Sequence, residues 1–208
     1  MSKINHILKY LDELYPNPKC ELNYNEDYEL LIAVVLSAQT TDKKVNKVTP
    51  ILFSKYPSLK ALKEANIEDL YEILRPIGMY HKKAHFVKEI ARELDERYNG
   101  KVSNDRKALE SLSGVGRKTA NVVMAVLFNG PYIAVDTHVS RVSKRLGLAK
   151  EEDNVLQIEK KLMRLIEEQK LAKAHYQLVL FGRYHCKAMK PNCDNCKISN
   201  ICKYKKKG

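Results

Sequence analysis

The sequence lacks a long apolar run and a signal-peptide core, and both absences limit where the protein works. No stretch of the 208 residues approaches the ~18 consecutive apolar residues that a membrane-spanning helix requires. The chain begins with MSKINHILKYLDELY, which is charged and has helical apolar spacing, so no apolar leader is expected. The sequence also has no low-complexity linker. We therefore expect a cytoplasmic protein with no membrane partner.

Cysteine is scarce and unevenly placed, which argues against a secreted disulfide framework. Cys20 stands alone, and the other four of the five cysteines lie within the last 23 residues. In a reducing compartment such a cluster indicates metal binding before disulfides. Zinc sites more often use two short pairs joined by a long spacer, whereas here only one CxxC exists. Tetrahedral zinc and a cubane iron–sulfur cluster both accept four cysteines, so the spacing alone leaves both open.

Acidic residues are outnumbered, with 25 Asp and Glu against 37 Lys and Arg, which gives a formal net charge of +12. This excess favours a polyanionic partner, although a basic protein without such a partner has the same composition. Apolar residues recur at steps of three and four along most of the chain, and only short runs such as YIAV at 132–135 look strand-like. The pattern predicts an all-α fold of about ten helices.

Glycine is rare, with eight in the chain, yet two of them sit one residue apart in the stretch LSGVGRKTAN. Gly114, Val115 and Gly116 permit a sharp turn, and a helix is predicted to begin at about Arg117. Unpaired N–H donors in its first turn, the helix dipole and the charges of Arg117 and Lys118 favour a phosphate. Such a hairpin binds the phosphates of a nucleic-acid backbone without contacting the base edges. By itself, GxG is equally typical of an ordinary interhelical turn.

A looser copy of this pattern lies upstream. LRPIG followed by KKA, starting at Leu74, parallels LSGVG followed by KTA, starting at Leu112. Both are typical of a helix end, a tight glycine turn and a basic helix start. An ordinary Pro-Gly connection explains the upstream copy equally well.

The segment LSGVGRKTANVV resembles the helix-hairpin-helix of DNA-repair glycosylases. In that superfamily a Gly/Pro-rich stretch and an aspartate follow the hairpin, and here the chain supplies Gly130, Pro131 and Asp136. The resemblance is strongest to the endonuclease III family and extends from LLIAVVLSAQTTD to the C-terminal cysteines. It implies an all-α helix-hairpin-helix glycosylase fold, with two helical domains and a groove between them.

The resemblance also implies the division of the chain. Residues 22–132 would form a six-helix domain that carries the hairpin at about 112–117. Residues 1–21 and 133–208 would form an iron–sulfur cluster domain, with the cluster loop at 186–202.

The cysteine spacing of six, two and five intervening residues is similar to that of the [4Fe-4S] loop of endonuclease III. The resemblance implies that the cluster has chiefly a structural and DNA-binding role. Lys187 and Lys190 in the first loop would face DNA phosphates. The last three lysines of the tail CKYKKKG are typical of a solvated chain end. The implied ligands are Cys186, Cys193, Cys196 and Cys202.

The resemblance assigns the chemistry to a lysine and an aspartate. Desolvation and a positive helix end would lower the pKa of Lys118 from its usual ~10.4. Its neutral amine would attack C1′ of the damaged nucleotide, form a Schiff base and cut the strand on the 3′ side by β-elimination. Asp136 is predicted to cap a helix and, when ionised, to stabilise the cationic sugar and help deprotonate Lys118. From spacing alone, a phosphate-binding lysine and a plain cap are the simpler interpretations.

A glycosylase must also take its target base out of the stack. By resemblance, Gln39 in LSAQTTD enters the vacated space, and Met79 in the turn IGMY is the wedge, where family members often have leucine. His138 matches a family position near the active site, and we expect a binding role at most. The residues alone are also consistent with simpler roles. Gln39 would then be a polar residue at a helix end, Met79 a buried methionine and His138 a structural histidine.

The function implied by the resemblance is that of a bifunctional DNA glycosylase and AP lyase of base excision repair. It would remove oxidised or ring-damaged pyrimidines from duplex DNA, as a monomer associated with chromosomal DNA. Two alternatives remain open. One is a monofunctional mismatch glycosylase of the same superfamily, although such relatives usually lack the hairpin lysine that is present here as Lys118. The other is a non-catalytic DNA-binding module with a zinc centre.

Overall fold

The computed structural model describes residues 2–204, and within that range the regular structure is helical throughout, without a strand. None of the helices in this range combines the length and the apolar content needed to cross a membrane. Shorter 3-10 turns occupy Glu168–Lys170 and Ser199–Ile201, and a π-helical turn occupies Phe181–His185. The α-helices of the described range are α1 (Lys3–Leu14), α2 (Asp27–Leu36), α3 (Asp42–Lys55), α4 (Leu59–Glu64), α5 (Ile67–Leu74), α6 (Tyr80–Tyr98), α7 (Arg106–Glu110), α8 (Arg117–Leu127), α9 (Thr137–Arg145), α10 (Val155–Leu165) and α11 (Leu171–Leu180).

The chain divides into two compact units. The hairpin unit is Cys20–Phe128 and contains α2 to α8. The cysteine unit consists of the described residues up to Lys19 and from Asn129 onward, and it contains α1 and α9 to α11.

Helix α2 forms the centre of the hairpin unit. Its sequence is apolar all round, so the helix is buried on every side, and it packs against α3, α6 and α8. A reciprocal capping box between Glu26 and Glu29 starts it. Burial of α2 fixes where its C-terminal turn emerges at the surface, which is the turn that contains Gln39.

Helix α6 is the longest described helix, with 19 residues, and it supports two surface turns of the hairpin unit. Its apolar residues recur at helical spacing and pack against α4 and α5. Asn66 caps α5 through a 2.8 Å bond from the Glu68 N–H, and Asn99 ends α6 in a left-handed conformation with φ 50°. Both features follow from local residue types, since Asn is favoured at helix N-caps and tolerates left-handed backbone.

The cysteine unit has its own core, made by α1, α9, α10, α11 and the connecting residues before α9. The run YIAV is not a strand, so that interpretation was wrong. Ile133, Ala134 and Val135 are buried in irregular backbone, and the described residues include no strand with which they pair. Apolar composition predicted their burial, but it does not determine backbone pairing.

Candidate nucleic-acid and catalytic site

The glycine hairpin forms the turn that the sequence predicts. The N–H of Val115 donates to the carbonyl of Leu112 at 3.1 Å, and α8 begins at Arg117. Gly116 caps α8 with extended backbone, and it has no side chain to accept a hydrogen bond from the first turn. No described residue accepts a hydrogen bond from the N–H of Gly114 or Gly116. The N–H of Val115 is therefore engaged, whereas those of its two neighbours are available.

The two glycines of the hairpin serve different purposes. Gly114 has φ +75°, and a Cβ built on it would lie 2.6 Å from the ring of Phe86 on α6. Gly116 has φ −95°, and a Cβ there would meet nothing within 4 Å. Only Gly114 is required by conformation and packing. Gly116 instead leaves open space beside the start of α8.

A carboxylate on α6 holds the start of the hairpin. Glu93 accepts the backbone N–H of Ser113 at 2.8 Å with one oxygen and the hydroxyl of Ser113 at 3.2 Å with the other. Arg97 lies 4.0 Å from the same carboxylate. Both oxygens of Glu93 therefore fix Ser113, the residue immediately before the turn.

Lys118 lies in the first turn of α8, as expected, and its side chain is exposed. The chain itself therefore does not desolvate the amine, which corrects the expectation that burial acts at this position. The nearby positive end of α8 remains, and exclusion of water has to come from a bound ligand. Arg117 beside it is also exposed, so the hairpin presents two cations to solvent.

Asp136 caps α9, which confirms the predicted cap. Its Oδ1 accepts the N–H of Val139 at 2.7 Å, and its side chain is half-buried. This bond fixes the orientation of the carboxylate at the N-terminus of α9. The arrangement provides an oriented negative charge at the start of α9.

His138 packs inside the cysteine unit. Its Nδ1 lies 3.2 Å from an Nη of Arg141, and a Cβ on Gly182 would lie 2.8 Å from the Cβ of His138. Gly182 therefore permits the π-helical turn to approach α9 closely. These contacts support the structural interpretation of His138, and its binding role stays a prediction.

Gln39 and Met79 share an unusual backbone conformation. Gln39 has φ 53° in the turn after α2, and Met79 has φ 56° at the N-cap of α6. Both side chains are exposed, and Met79 is 48% exposed. The alternative of a buried methionine is therefore wrong. Left-handed backbone costs a non-glycine residue on the order of 1–3 kcal/mol and concentrates at functional sites.

The four clustered cysteines line one cavity of about 390 Å³ in the cysteine unit. Phe181, Pro191 and Tyr204 contribute apolar walls. Within residues 2–204, no three His, Cys, Asp or Glu side chains converge tightly enough for a single ion. The donor set consists of soft sulfur ligands around a cavity, which suits a thiolate-bound metal group. The cysteines that line it are Cys186, Cys193, Cys196 and Cys202.

Arg145 at the end of α9 holds the loop that carries the predicted DNA-facing lysines. Its guanidinium donates to the carbonyls of Lys187 and Ala188 at 2.7 and 3.1 Å and to the sulfur of Cys186 at 3.4 Å. Lys187 and Lys190 are both exposed on this loop. The lysines at 205–207 lie outside the described residues.

Sequence reasoning missed two supporting residues, Lys83 and Arg145. Lys83 is only 2% exposed, and its ammonium donates to the turn that contains Gln39. Its helical register, four residues before Val87 and seven before Ile90, carried the signal for burial. The sequence signal for Arg145 was weaker. Its position four residues after Arg141 indicates that the two lie on the same face of α9, but it does not indicate which residues Arg145 contacts.

Comparisons with known proteins agree with this geometry. The family model for HhH-GPD superfamily base excision DNA repair proteins matches residues 32–168. The chain is 43% identical over 203 residues to an endonuclease III of Bacillus subtilis strain 168, covering 98% of this chain and 93% of the relative. It is 45% identical over 201 residues to that of Escherichia coli K12, covering 97% and 95%. A solved structure of a trapped endonuclease III–DNA covalent intermediate matches with a TM-score of 0.92 and 46% identity, covering 98% of this chain and 96% of that one.

Proposed function

The chain belongs to the endonuclease III family of the HhH-GPD superfamily, and we propose that it removes oxidised or ring-damaged pyrimidines from duplex DNA. The all-α helix-hairpin-helix glycosylase fold predicted from the sequence is confirmed. The protein is a DNA glycosylase and AP lyase of base excision repair. We further propose that it works as a cytoplasmic monomer on chromosomal DNA.

One observation carries the proposal: an exposed lysine stands in the first turn of a helix that begins with an uncapped glycine. The available N–H groups of Gly114 and Gly116 would bind a DNA phosphate, assisted by the charge of Arg117. A phosphate fixed there brings the neighbouring sugar to Lys118. Val115 contributes its buried side chain to the turn, and its N–H stays with Leu112.

Lys118 would act as the nucleophile. Its neutral amine forms a bond to C1′, and the damaged base leaves with the electrons of the glycosidic bond. The C1′–O4′ bond then breaks as O4′ takes up a proton, and the nitrogen lone pair forms the C=N bond of the Schiff base. Removal of a C2′ proton then expels the 3′ phosphate by β-elimination, and water hydrolyses the Schiff base to free the lysine.

Asp136 would supply the negative charge that this sequence of steps needs. Its ionised carboxylate stabilises positive charge on the sugar as the base departs, and it accepts a proton from the attacking amine. The bond from the Val139 N–H engages one carboxylate oxygen and fixes the orientation of the group.

Gln39 and Met79 would act on the duplex. We propose that the Gln39 side chain enters the space vacated by the extruded nucleotide and that Met79 wedges between neighbouring bases. Their exposure supports this role, since a buried side chain is not available to DNA. His138, Lys187 and Lys190 would add contacts to the DNA.

The cysteine cavity would hold a [4Fe-4S] cluster through Cys186, Cys193, Cys196 and Cys202. Four sulfur donors around a cavity of about 390 Å³ support a group larger than one ion. When bound, the cluster supplies structural cross-linking of the loop rather than hydrolytic chemistry. The purified protein is expected to absorb visible light and to contain about four irons per chain. Stoichiometric zinc without visible absorption would contradict this assignment.

Borohydride trapping on duplex DNA with an abasic site tests the lysine. Only a Schiff-base former gives a covalent adduct, so the unmodified protein is expected to be trapped. Lys118→Gln should abolish the adduct and strand cleavage while sparing DNA affinity, and Lys101→Gln, an exposed lysine of the same unit, serves as the control. Full-speed nicking by Lys118→Gln would refute the proposal.

The substitution Asp136→Asn distinguishes the helix-capping role of Asp136 from its proposed catalytic role. Asn caps a helix about as well as Asp, so the free energy of unfolding should change by less than about 0.5 kcal/mol. Base release should fall by about a hundredfold or more, because the charge is lost. Unchanged turnover would remove Asp136 from the mechanism.

A panel of duplexes, each with one lesion, defines the substrate class. Base release and strand cleavage are scored separately, and damaged pyrimidines are expected to give both. Base release without cleavage would indicate the monofunctional alternative. Binding without either reaction would indicate the non-catalytic module.

A further inference from the structure

Lys83 is a buried cation that the proposed chemistry does not use. It lies on α6, and its ammonium donates to the carbonyl of Ala38 at 2.8 Å and to the hydroxyl oxygen of Thr40 at 2.9 Å. These two acceptors flank Gln39. No described carboxylate pairs with Lys83. Burial lowers the pKa of Lys83, since its side chain is withdrawn from water.

The same residue belongs to the helical turn that follows the second exposed turn. The backbone N–H of Lys83 donates to the carbonyl of Met79 at 3.0 Å, which closes the first turn of α6. That main-chain bond does not depend on the side chain. The lysine side chain itself bonds to both sides of Gln39, and it does so from the first turn of α6, next to Met79. Gln39 and Met79 are both exposed and both left-handed.

Other polar groups around Gln39 are also engaged. The N–H of Thr40 donates to the carbonyl of Ser37 at 3.0 Å, and the Ser37 hydroxyl donates to the carbonyl of Val34 at 2.8 Å. The turn is therefore tied on both sides, while the side chain of Gln39 stays exposed. Two left-handed residues are retained only where their surroundings determine the backbone.

We propose that Lys83 is a positioning residue for base extrusion, which locks the Gln39 turn and the Met79 turn into one preformed wedge. The inference rests on the proposed function, because it assigns Gln39 and Met79 to the duplex. A long apolar side chain would fill the same space without the desolvation of an ammonium. What a lysine adds is a set of directed bonds to the turn. Preformed placement matters, since a displacement of about 1 Å can slow a reaction by about a hundredfold.

Lys83→Met tests the proposal, with Lys88→Met as the matched control. Lys88 is on the same helix, and its ammonium also donates to a backbone carbonyl, that of Ala65, away from Gln39. Single-turnover base release from a paired duplex should fall by at least about tenfold in Lys83→Met and stay within about twofold in Lys88→Met. Borohydride trapping on single-stranded abasic DNA, where no base pair is opened, should stay within about twofold in both.

A double-mutant cycle separates positioning from general stabilisation. If Lys83 acts through Gln39, Lys83→Met should have little further effect on base release in a Gln39→Ala background. The fluorescence of 2-aminopurine placed opposite the lesion should rise on binding of the unmodified protein and fail to rise with Lys83→Met. Additive losses, or equal losses of duplex release and single-strand trapping, would overturn the proposal.

The test distinguishes this inference from the proposed function. Absence of base release and trapping in the unmodified protein contradicts the proposed function itself. Normal activity of the unmodified protein with equal rates for Lys83→Met and Lys88→Met contradicts only the positioning role. If Lys83→Met does not fold, Thr40→Val replaces it, because that change removes one acceptor of the Lys83 ammonium and leaves its bond to Ala38. Slower base release from duplex DNA with unchanged single-strand trapping supports the proposal. Unchanged base release from duplex DNA overturns it.

Discussion

The turns that precede α6 and α8 share a backbone bond but present different groups to solvent. In each, a leucine carbonyl accepts the N–H of an apolar residue three positions later: Leu74 and Ile77 at 3.0 Å, and Leu112 and Val115 at 3.1 Å. Ile77 and Val115 are both buried. The sequence echo between the two turns thus corresponds to a shared geometry at their starts.

The difference lies in which residue takes the left-handed conformation. In the hairpin it is Gly114, whereas in the upstream turn it is Met79, and Gly78 keeps an ordinary φ. The hairpin thereby presents backbone N–H groups without side chains in the way. The upstream turn instead displays a large side chain on strained backbone. One arrangement suits a phosphate, and the other suits insertion between bases.

Gly114→Ala should break the hairpin and produce the largest effect. The substitution combines left-handed strain with a Cβ placed 2.6 Å from the Phe86 ring, so unfolding should become easier by about 2–4 kcal/mol. Chemical denaturation measures the change. Gly116→Ala is the matched control, with a change below about 1 kcal/mol, although its methyl group should weaken DNA binding. Equal destabilisation by the two would refute the different purposes assigned to the glycines.

Glu93→Ala should loosen the hairpin without a clash. It leaves the N–H and hydroxyl of Ser113 without their acceptor, which should lower the free energy of unfolding by about 1–2 kcal/mol. Hydrogen exchange at Ser113 should accelerate, and the upstream turn should be unaffected. Glu93→Gln keeps an acceptor and should lose less. A wild-type exchange rate in Glu93→Ala would exclude Glu93 as the anchor.

Met79→Gly should make the upstream turn resemble the hairpin and give the smallest change in stability. Relief of left-handed strain should stabilise the fold by about 0.5–1 kcal/mol. Base release from duplex should nevertheless fall, because the wedge is missing. Met79→Ala keeps the strain and serves as the comparison. Higher stability with undiminished base release would mean that Met79 does not enter the duplex.

Local signals made much of this architecture predictable. The start of α8 at Arg117, the Asn66 cap and the Asp136 cap each depend on residue types within one helical turn. The all-α pattern follows from periodicity in the same way. Long-range contacts were not predictable, because no residue near Gly114 in the sequence indicates that Gly114 packs against the ring of Phe86.

The positions of Lys83 and Met79 show two different limits. The register of α6 places Lys83 on the buried face. Because a lysine is seldom buried, its residue type argued against the burial that the helical periodicity indicated. Met79 carries no local signal for left-handed backbone, since that conformation usually falls to glycine or asparagine. Its neighbour Gly78 was the residue that sequence reasoning would choose for it.

Helix α6 sets the distance between the two turns for which DNA contacts are proposed. Lys83 secures one turn and Glu93 the other, and their separation of ten positions spans about 15 Å at the rise of an α-helix. An inserted residue in this stretch would rotate one anchor relative to the other by about 100°. The segment of α6 between these two anchors should therefore tolerate substitutions far better than insertions or deletions.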